Sequence, residues 1–127
     1  MVGIVVISHS KKIAKSVEEF ALYMAPKAKV VATGGTDEDK FGSSKKRIKK
    51  AITKLSNSKD GVIVIADMGS TVTTAREIID SSDFSCDVQL VDCPLMEGTI
   101  VAAIEAQMKK DLPHIVEILE DIKTIPK

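Results

Sequence analysis

Two uninterrupted apolar runs each end in an ionisable residue, and this pattern limits the possible folds more than any other. Val2-Gly3-Ile4-Val5-Val6-Ile7 passes through Ser8 into His9, and Gly61-Val62-Ile63-Val64-Ile65-Ala66 passes into Asp67. Runs of β-branched residues without polar alternation fit strands buried on both faces, as in a parallel sheet. Such a sheet needs helices above and below, so strand and helix must alternate along the chain. Lys29-Val30-Val31-Ala32 and Val88-Gln89-Leu90-Val91 supply two further short strands.

The segments between them carry helical spacing. Ile13, Val17, Phe20, Ala21 and Met24 recur at helical spacing and predict a first helix that stops before Pro26. Phe41, Ile48, Ala51, Ile52 and Leu55 predict the inner face of a second, whose outer face holds Lys45, Lys46, Arg47, Lys49 and Lys50. Val72, Ala75, Ile78 and Ile79 mark a third helix, and Ile100, Val101, Ile104 and Met108 a fourth. Asp111-Leu112-Pro113 reads as an N-cap with a first-turn proline, opening a last helix with Ile115, Val116, Ile118, Leu119 and Ile122. The fold class is therefore α/β: one domain over residues 1–127, with a parallel four-stranded sheet and helices on both faces. Right-handed crossovers bring the C-terminal strand ends to one edge, where residues 8–10, 34–44 and 67–71 converge.

Composition removes several function classes. A chain of 127 residues, 44% hydrophobic, supports one core. Its 18 basic and 18 acidic residues cancel, which gives no drive toward nucleic acid, and 3% aromatics weakens base stacking. No apolar run approaches the length of a membrane span, and the first strand is too short for a signal peptide. Cys86 and Cys93 form no CxxC pair, so free thiols, a cytoplasmic setting and no metal site are expected.

The chemistry then centres on His9. A neutral imidazole is nucleophilic near pH 7, and a carboxylate on one ring nitrogen fixes the tautomer and leaves the other free to attack. Asp67 is placed to be that carboxylate if the first and third strands are neighbours. Ser10, Ser43, Ser44, Ser70 and Thr71 offer hydroxyls nearby, and helix N-termini at the same edge favour an anion. The chain has no G-x-x-x-x-G-K-[ST] loop and no G-x-S-x-G elbow, which argues against P-loop nucleotide binding and hydrolysis. A histidine that accepts and passes on a phosphoryl group fits what is left. A ligand-binding module in which His9 lines a pocket and Asp67 caps a helix is the plainer alternative. His114 reads as a surface residue.

The segment Val5-Val6-Ile7-Ser8-His9-Ser10 with Ile13-Ala14 resembles the active-histidine segment of the mannose-class enzyme IIA family of the bacterial phosphotransferase system. Gly35-Thr36, Phe41-Gly42-Ser43-Ser44, Ala66-Asp67-Met68-Gly69-Ser70 and Pro94-Leu95-Met96-Glu97-Gly98 extend the resemblance over essentially the whole chain. Sugar-transport members typically carry a Gly-Gly-Ser-Pro-like segment after the aspartate, whereas this chain reads Met68-Gly69-Ser70-Thr71. That tilts the resemblance toward the phosphocarrier subunits of phosphoenolpyruvate-dependent dihydroxyacetone kinases. It implies that His9 takes a phosphoryl group from phospho-HPr and passes it to ADP on the nucleotide-binding subunit of the kinase. It also implies that Asp67 orients His9, that Ser10, Gly42, Ser43, Gly69 and Ser70 bind phosphate, and that no cofactor takes part. A homodimer is implied too. Some members carry fused phosphocarrier and enzyme I-like domains, which are not seen before Lys127, so the donor is expected to act in trans. The runner-up is a mannose-class IIA component of a sugar transporter, whose acceptor would be a histidine or cysteine on a sugar-specific protein.

Overall fold

A computed structural model describes residues 1–122. The two long apolar runs become the central strands β1 (Gly3–Ser8) and β3 (Val62–Ala66), buried at every residue. They are flanked by β2 (Lys29–Gly34) and a short β4 (Val88–Leu90). The order is β2-β1-β3-β4, with every pair parallel. A fully buried Ile or Val side chain is worth about 1.5–3 kcal/mol. The central pair therefore contributes a large share of the core's stabilisation, and it ends at His9 and Asp67.

Three helices, α1 (Lys11–Met24), α4 (Leu95–Gln107) and α5 (Leu112–Ile122), cover one face. Two, α2 (Lys45–Leu55) and α3 (Gly69–Ser81), cover the other. The split follows from handedness. The chain moves from β1 to β2 in one direction and returns through β3 to β4 in the other, so right-handed crossovers fall on opposite faces. The N-cap expected at Asp111 is present, with its Oδ1 accepting from His114 N–H at 3.0 Å.

Not every apolar residue at helical spacing faces the core. On α1 the buried residues are Ala14, Val17 and Ala21, while Ile13, Phe20 and Met24 lie near half exposure. The apolar arc of α1 is broader than one contact stripe, and its small residues let the helix approach the sheet. Phe41 is not on α2 at all, because that helix starts at Lys45, and Phe41 stands 85% exposed in the preceding loop. Met108 is likewise exposed, just past the end of α4. Burial, followed by the charges of Asp92 and Glu97, pushes the Cys93 thiol up to about 12, so it is inert as a nucleophile.

Candidate active site

In the β1–β3 register Ile7 lies opposite Ala66, so the chain leaves the sheet at neighbouring points and sets His9 beside Asp67. The Asp67 N–H donates to the Ile7 carbonyl at 3.0 Å. The Asp67 carboxylate then collects donors from both strand ends. Its Oδ2 accepts from Ser8 Oγ at 2.9 Å and from the His9 N–H at 3.0 Å. Its Oδ1 accepts from Met68 N–H at 2.9 Å and Thr71 Oγ1 at 2.7 Å, and meets His9 Nδ1 at 3.1 Å. Ser8 and Thr71 are wholly buried, so their hydroxyls have no water to turn to.

Burial alone would raise the Asp67 carboxyl. The hydrogen bonds from Thr71, the His9 N–H, Ser8 and the His9 ring outweigh it and hold the carboxyl below the usual range. A carboxyl depressed on folding stabilises the native state above its unfolded pKa of about 3.9. That contribution is lost as pH falls through the lower folded value. Wild type should therefore be more stable than Asp67→Asn at about pH 6, and the gap should shrink as pH drops toward about 3. Denaturant midpoints measured across that range check this, and a constant gap contradicts it.

With Asp67 ionised, Nδ1 of His9 carries the proton and Nε2 presents its lone pair. Nε2 lies 2.7 Å from Ser70 Oγ, at the exposed start of α3. The ring faces a recess of about 420 Å³ whose polar floor is Ser8, Ser10, Asp67 and Ser70 and whose rim is apolar: Ile13, Phe41 and Met68. The rim residues are all largely exposed, which is unusual for side chains of this size.

The loop after β2 is fastened over this edge. Gly34 lies so close beneath the Ser8–Ser10 turn that a Cβ there would come within 2.8 Å of two carbonyl oxygens. Gly42, at φ +141°, donates its N–H to the His9 carbonyl at 2.9 Å. Arg47 holds the loop between them. It donates to the Gly34 carbonyl at 3.2 Å and the Asp37 carbonyl at 3.1 Å, and pairs with Asp39 at 2.9 Å. The hydrogen bonds from Arg47 and Lys11 lower the Asp39 carboxyl. The basic outer face of α2 is thus not uniform: Arg47 turns back to the loop, and Lys45 pairs with Glu77 of α3 at 3.2 Å. Arg47→Ala should speed hydrogen exchange at the Gly42 amide at least about tenfold, and Arg47→Lys should not restore protection, because an ammonium lacks the planar fork. Wild-type protection in either variant counts against the strap.

Of the residues expected to bind phosphate, Ser10, Gly69 and Ser70 line the recess with His9 and Asp67. The Ser10 hydroxyl is already committed as the N-cap of α1, accepting from Ile13 N–H. Gly42 touches His9 through its backbone rather than the recess, and Ser43 does not line it. Ser44 is the N-cap of α2, bonded to Arg47 N–H and Asp37. Ser8 and Arg47 are the functional neighbours that spacing did not single out. A serine ending an otherwise apolar buried strand was the available signal for the first. His114 is exposed, 3.9 Å from Glu105. Among the described residues no cluster of His, Cys, Asp and Glu could hold a metal ion, and no helix is long and apolar enough to cross a membrane.

The family model EIIA-man, described as the PTS system fructose IIA component, matches residues 3–116. A Listeria innocua relative, the phosphoryl donor subunit DhaM of PEP-dependent dihydroxyacetone kinase 1, is 32% identical over 126 residues, covering 97% of this chain and 94% of that protein. The Escherichia coli phosphoryl donor subunit DhaM is 28% identical over 91% of this chain, which spans only 26% of that longer protein. Among solved structures, a protein of unknown function matches with a TM-score of 0.82 at 27% identity, over 94% of this chain and 93% of its own. A sigma-54 interaction domain protein from Enterococcus faecalis shares the fold, with a TM-score of 0.69 at 15% identity over 94% of this chain and 87% of its own. From the strand-end His9–Asp67 pair, the four-stranded parallel fold, the family model over residues 3–116 and the Listeria innocua relative matched over nearly all of both chains, the chain belongs to the EIIA-man family of phosphotransferase-system proteins.

Proposed function

We propose that this chain is a phosphohistidine carrier: His9 Nε2 takes a phosphoryl group from phospho-HPr and gives it to ADP on the nucleotide-binding subunit of dihydroxyacetone kinase. The observation that carries this reading is the ring's orientation, with Nδ1 held by a carboxylate and Nε2 facing an open recess. The Nε2 lone pair attacks phosphorus as the donor's N–P bond breaks, and the HPr histidine leaves neutral. The substituted ring becomes cationic, and ionised Asp67 stabilises it as the partner carboxylate does in a Ser-His-Asp triad. The Ser70 hydroxyl swings from Nε2 onto a phosphoryl oxygen, and the Gly69 N–H and the α3 N-terminus favour the anion. In the second transfer the N–P bond breaks again, an ADP oxygen takes phosphorus, and His9 returns to its neutral tautomer. The protein contributes position and charge, as phosphoryl transfer requires. The chain then works as the phosphotransferase component of a kinase, in the cytoplasm, as a homodimer, with residues 1–127 forming one carrier domain.

Acceptor choice tests this reading. Phosphorylated protein is offered either the ADP-loaded kinase subunit or a mannose-class sugar-specific component, and loss of label is followed in time. The kinase subunit should drain the label and yield ATP. Drainage by the sugar component alone would overturn the reading in favour of sugar transport.

A further inference from the structure

We infer that Thr71 is a positioning residue whose hydroxyl proton moves between Asp67 and the Met68 carbonyl, and so sets how tightly His9 holds its phosphoryl group. The cargo rests on the carrier reading above. The device rests on the geometry around one carboxylate oxygen.

Asp67 Oδ1 has more donors than places for them. A carboxylate oxygen offers two lone pairs. Three donors meet this one: Thr71 Oγ1 at 2.7 Å, the Met68 N–H at 2.9 Å and His9 Nδ1 at 3.1 Å. The reacting ring has the longest of the three contacts. Oδ2, by contrast, takes two donors, Ser8 Oγ and the His9 N–H.

Thr71 is the donor able to leave. Its Oγ1 also lies 2.8 Å from the Met68 carbonyl oxygen. That carbonyl accepts the Thr71 N–H at 3.1 Å and keeps a second lone pair for the hydroxyl. One hydroxyl carries one proton, so it serves Asp67 or Met68 but not both. Changing partner takes a rotation about the Cβ–Oγ bond and no heavy-atom movement. Thr71 is wholly buried, so water competes for neither position. The alternative open to the Met68 N–H is Thr71 Oγ1 at 3.4 Å, which is too long to replace its bond to Oδ1.

The charge on the ring decides between the two acceptors. Among the described residues, Asp67 is the one charged side chain that bonds the ring or lines its recess. While the ring is neutral, its Nδ1–H is a modest donor and the carboxylate keeps Thr71. Once Nε2 is substituted the ring is cationic, and its Nδ1–H becomes a charge-assisted donor that draws on Oδ1. The Thr71 proton then turns to Met68, so its hydrogen bond is replaced and not lost. In the unloaded protein Thr71 therefore competes with the ring for Oδ1. Without that competition Oδ1 would favour the cationic ring more, and the phosphoryl group would be held more tightly.

Two variants separate this role from a structural one. Thr71→Val keeps the shape and deletes the proton, whereas Thr71→Ser keeps the proton. In unphosphorylated Thr71→Val, the NMR resonance of the His9 Nδ1 proton should move downfield as the ring bond to Oδ1 strengthens. Thr71→Ser should return it to the wild-type position. At equilibrium with HPr, the phosphoryl group should shift about threefold to tenfold toward Thr71→Val, with Thr71→Ser matching wild type. A third measurement needs no variant: the Met68 carbonyl carbon of wild type should move downfield on phosphorylation. An unmoved Nδ1 resonance, or an equilibrium unchanged or displaced toward HPr in folded Thr71→Val, would overturn the inference. A Met68 carbonyl indifferent to phosphorylation would overturn it too. A wild type that takes up no phosphoryl group would overturn the carrier reading, and the Nδ1 resonance would still decide the role of Thr71.

Discussion

His9→Ala should accept no phosphoryl group from phospho-HPr and pass none to ADP, with uptake falling to the level of a reaction lacking this protein. The other nucleophiles near the recess do not substitute. Ser8 is buried and bonded to Asp67, the Ser10 hydroxyl caps α1, and Thr71 is buried and bonded to Asp67. Ser70 is exposed, yet it has no base beside it once the imidazole is gone. The fold should survive. The lost Nδ1 contact is partly exposed and worth about 1 kcal/mol, and Asp67 keeps its other four donors. Label uptake together with circular dichroism checks both parts. Residual uptake well above background in a folded variant contradicts the assignment.

Asp67→Asn should slow transfer by about 10²- to 10⁴-fold, the upper figure being the loss seen for the same change in a Ser-His-Asp triad. Donors surround both carboxylate oxygens, so the amide nitrogen must face some of them whichever way it turns. Facing Ser8 and the His9 N–H, it leaves the Nδ1 proton in place but removes the negative charge that stabilises a substituted ring. Facing Nδ1, Met68 and Thr71, it also donates to Nδ1 and moves the imidazole proton to Nε2, where the phosphoryl group must go. Either orientation strands a backbone N–H and should cost about 1–3 kcal/mol of stability. Single-turnover loading from phospho-HPr, with a denaturant midpoint on the same sample, reads both effects. A near-normal loading rate would remove Asp67 from the mechanism.

The parts of the fold that were legible are those where one physical signal dominates. Unbroken β-branched runs occur when both faces are covered, so β1 and β3 could be recognised, and with them the meeting of His9 and Asp67. The spacing marks α1 as a helix but not which side of it meets the sheet, because its apolar arc is wide. Ile13, Phe20 and Met24 share the arc with Ala14, Val17 and Ala21, and hydrophobicity does not say which set touches the sheet. Residues 35–44 have no period. Their course depends on positive-φ glycines and on Arg47, a side chain long enough to leave the outer face of α2 and reach back to Gly34 at the end of β2 and to Asp37 and Asp39 in the loop. Phe41 looked like a core residue for the same reason, since its surroundings are set by that loop and not by a helix.

The most direct test of the account is to locate the phosphoryl group. The chain is incubated with phosphoenolpyruvate, enzyme I and HPr, and the acid-labile product is mapped by tandem mass spectrometry, with NMR of the labelled imidazole assigning the nitrogen. The account predicts one phosphoryl group per chain, on Nε2 of His9, absent from His9→Ala. Phosphate on His114, on Nδ1 of His9, or persisting in the His9→Ala variant would contradict it.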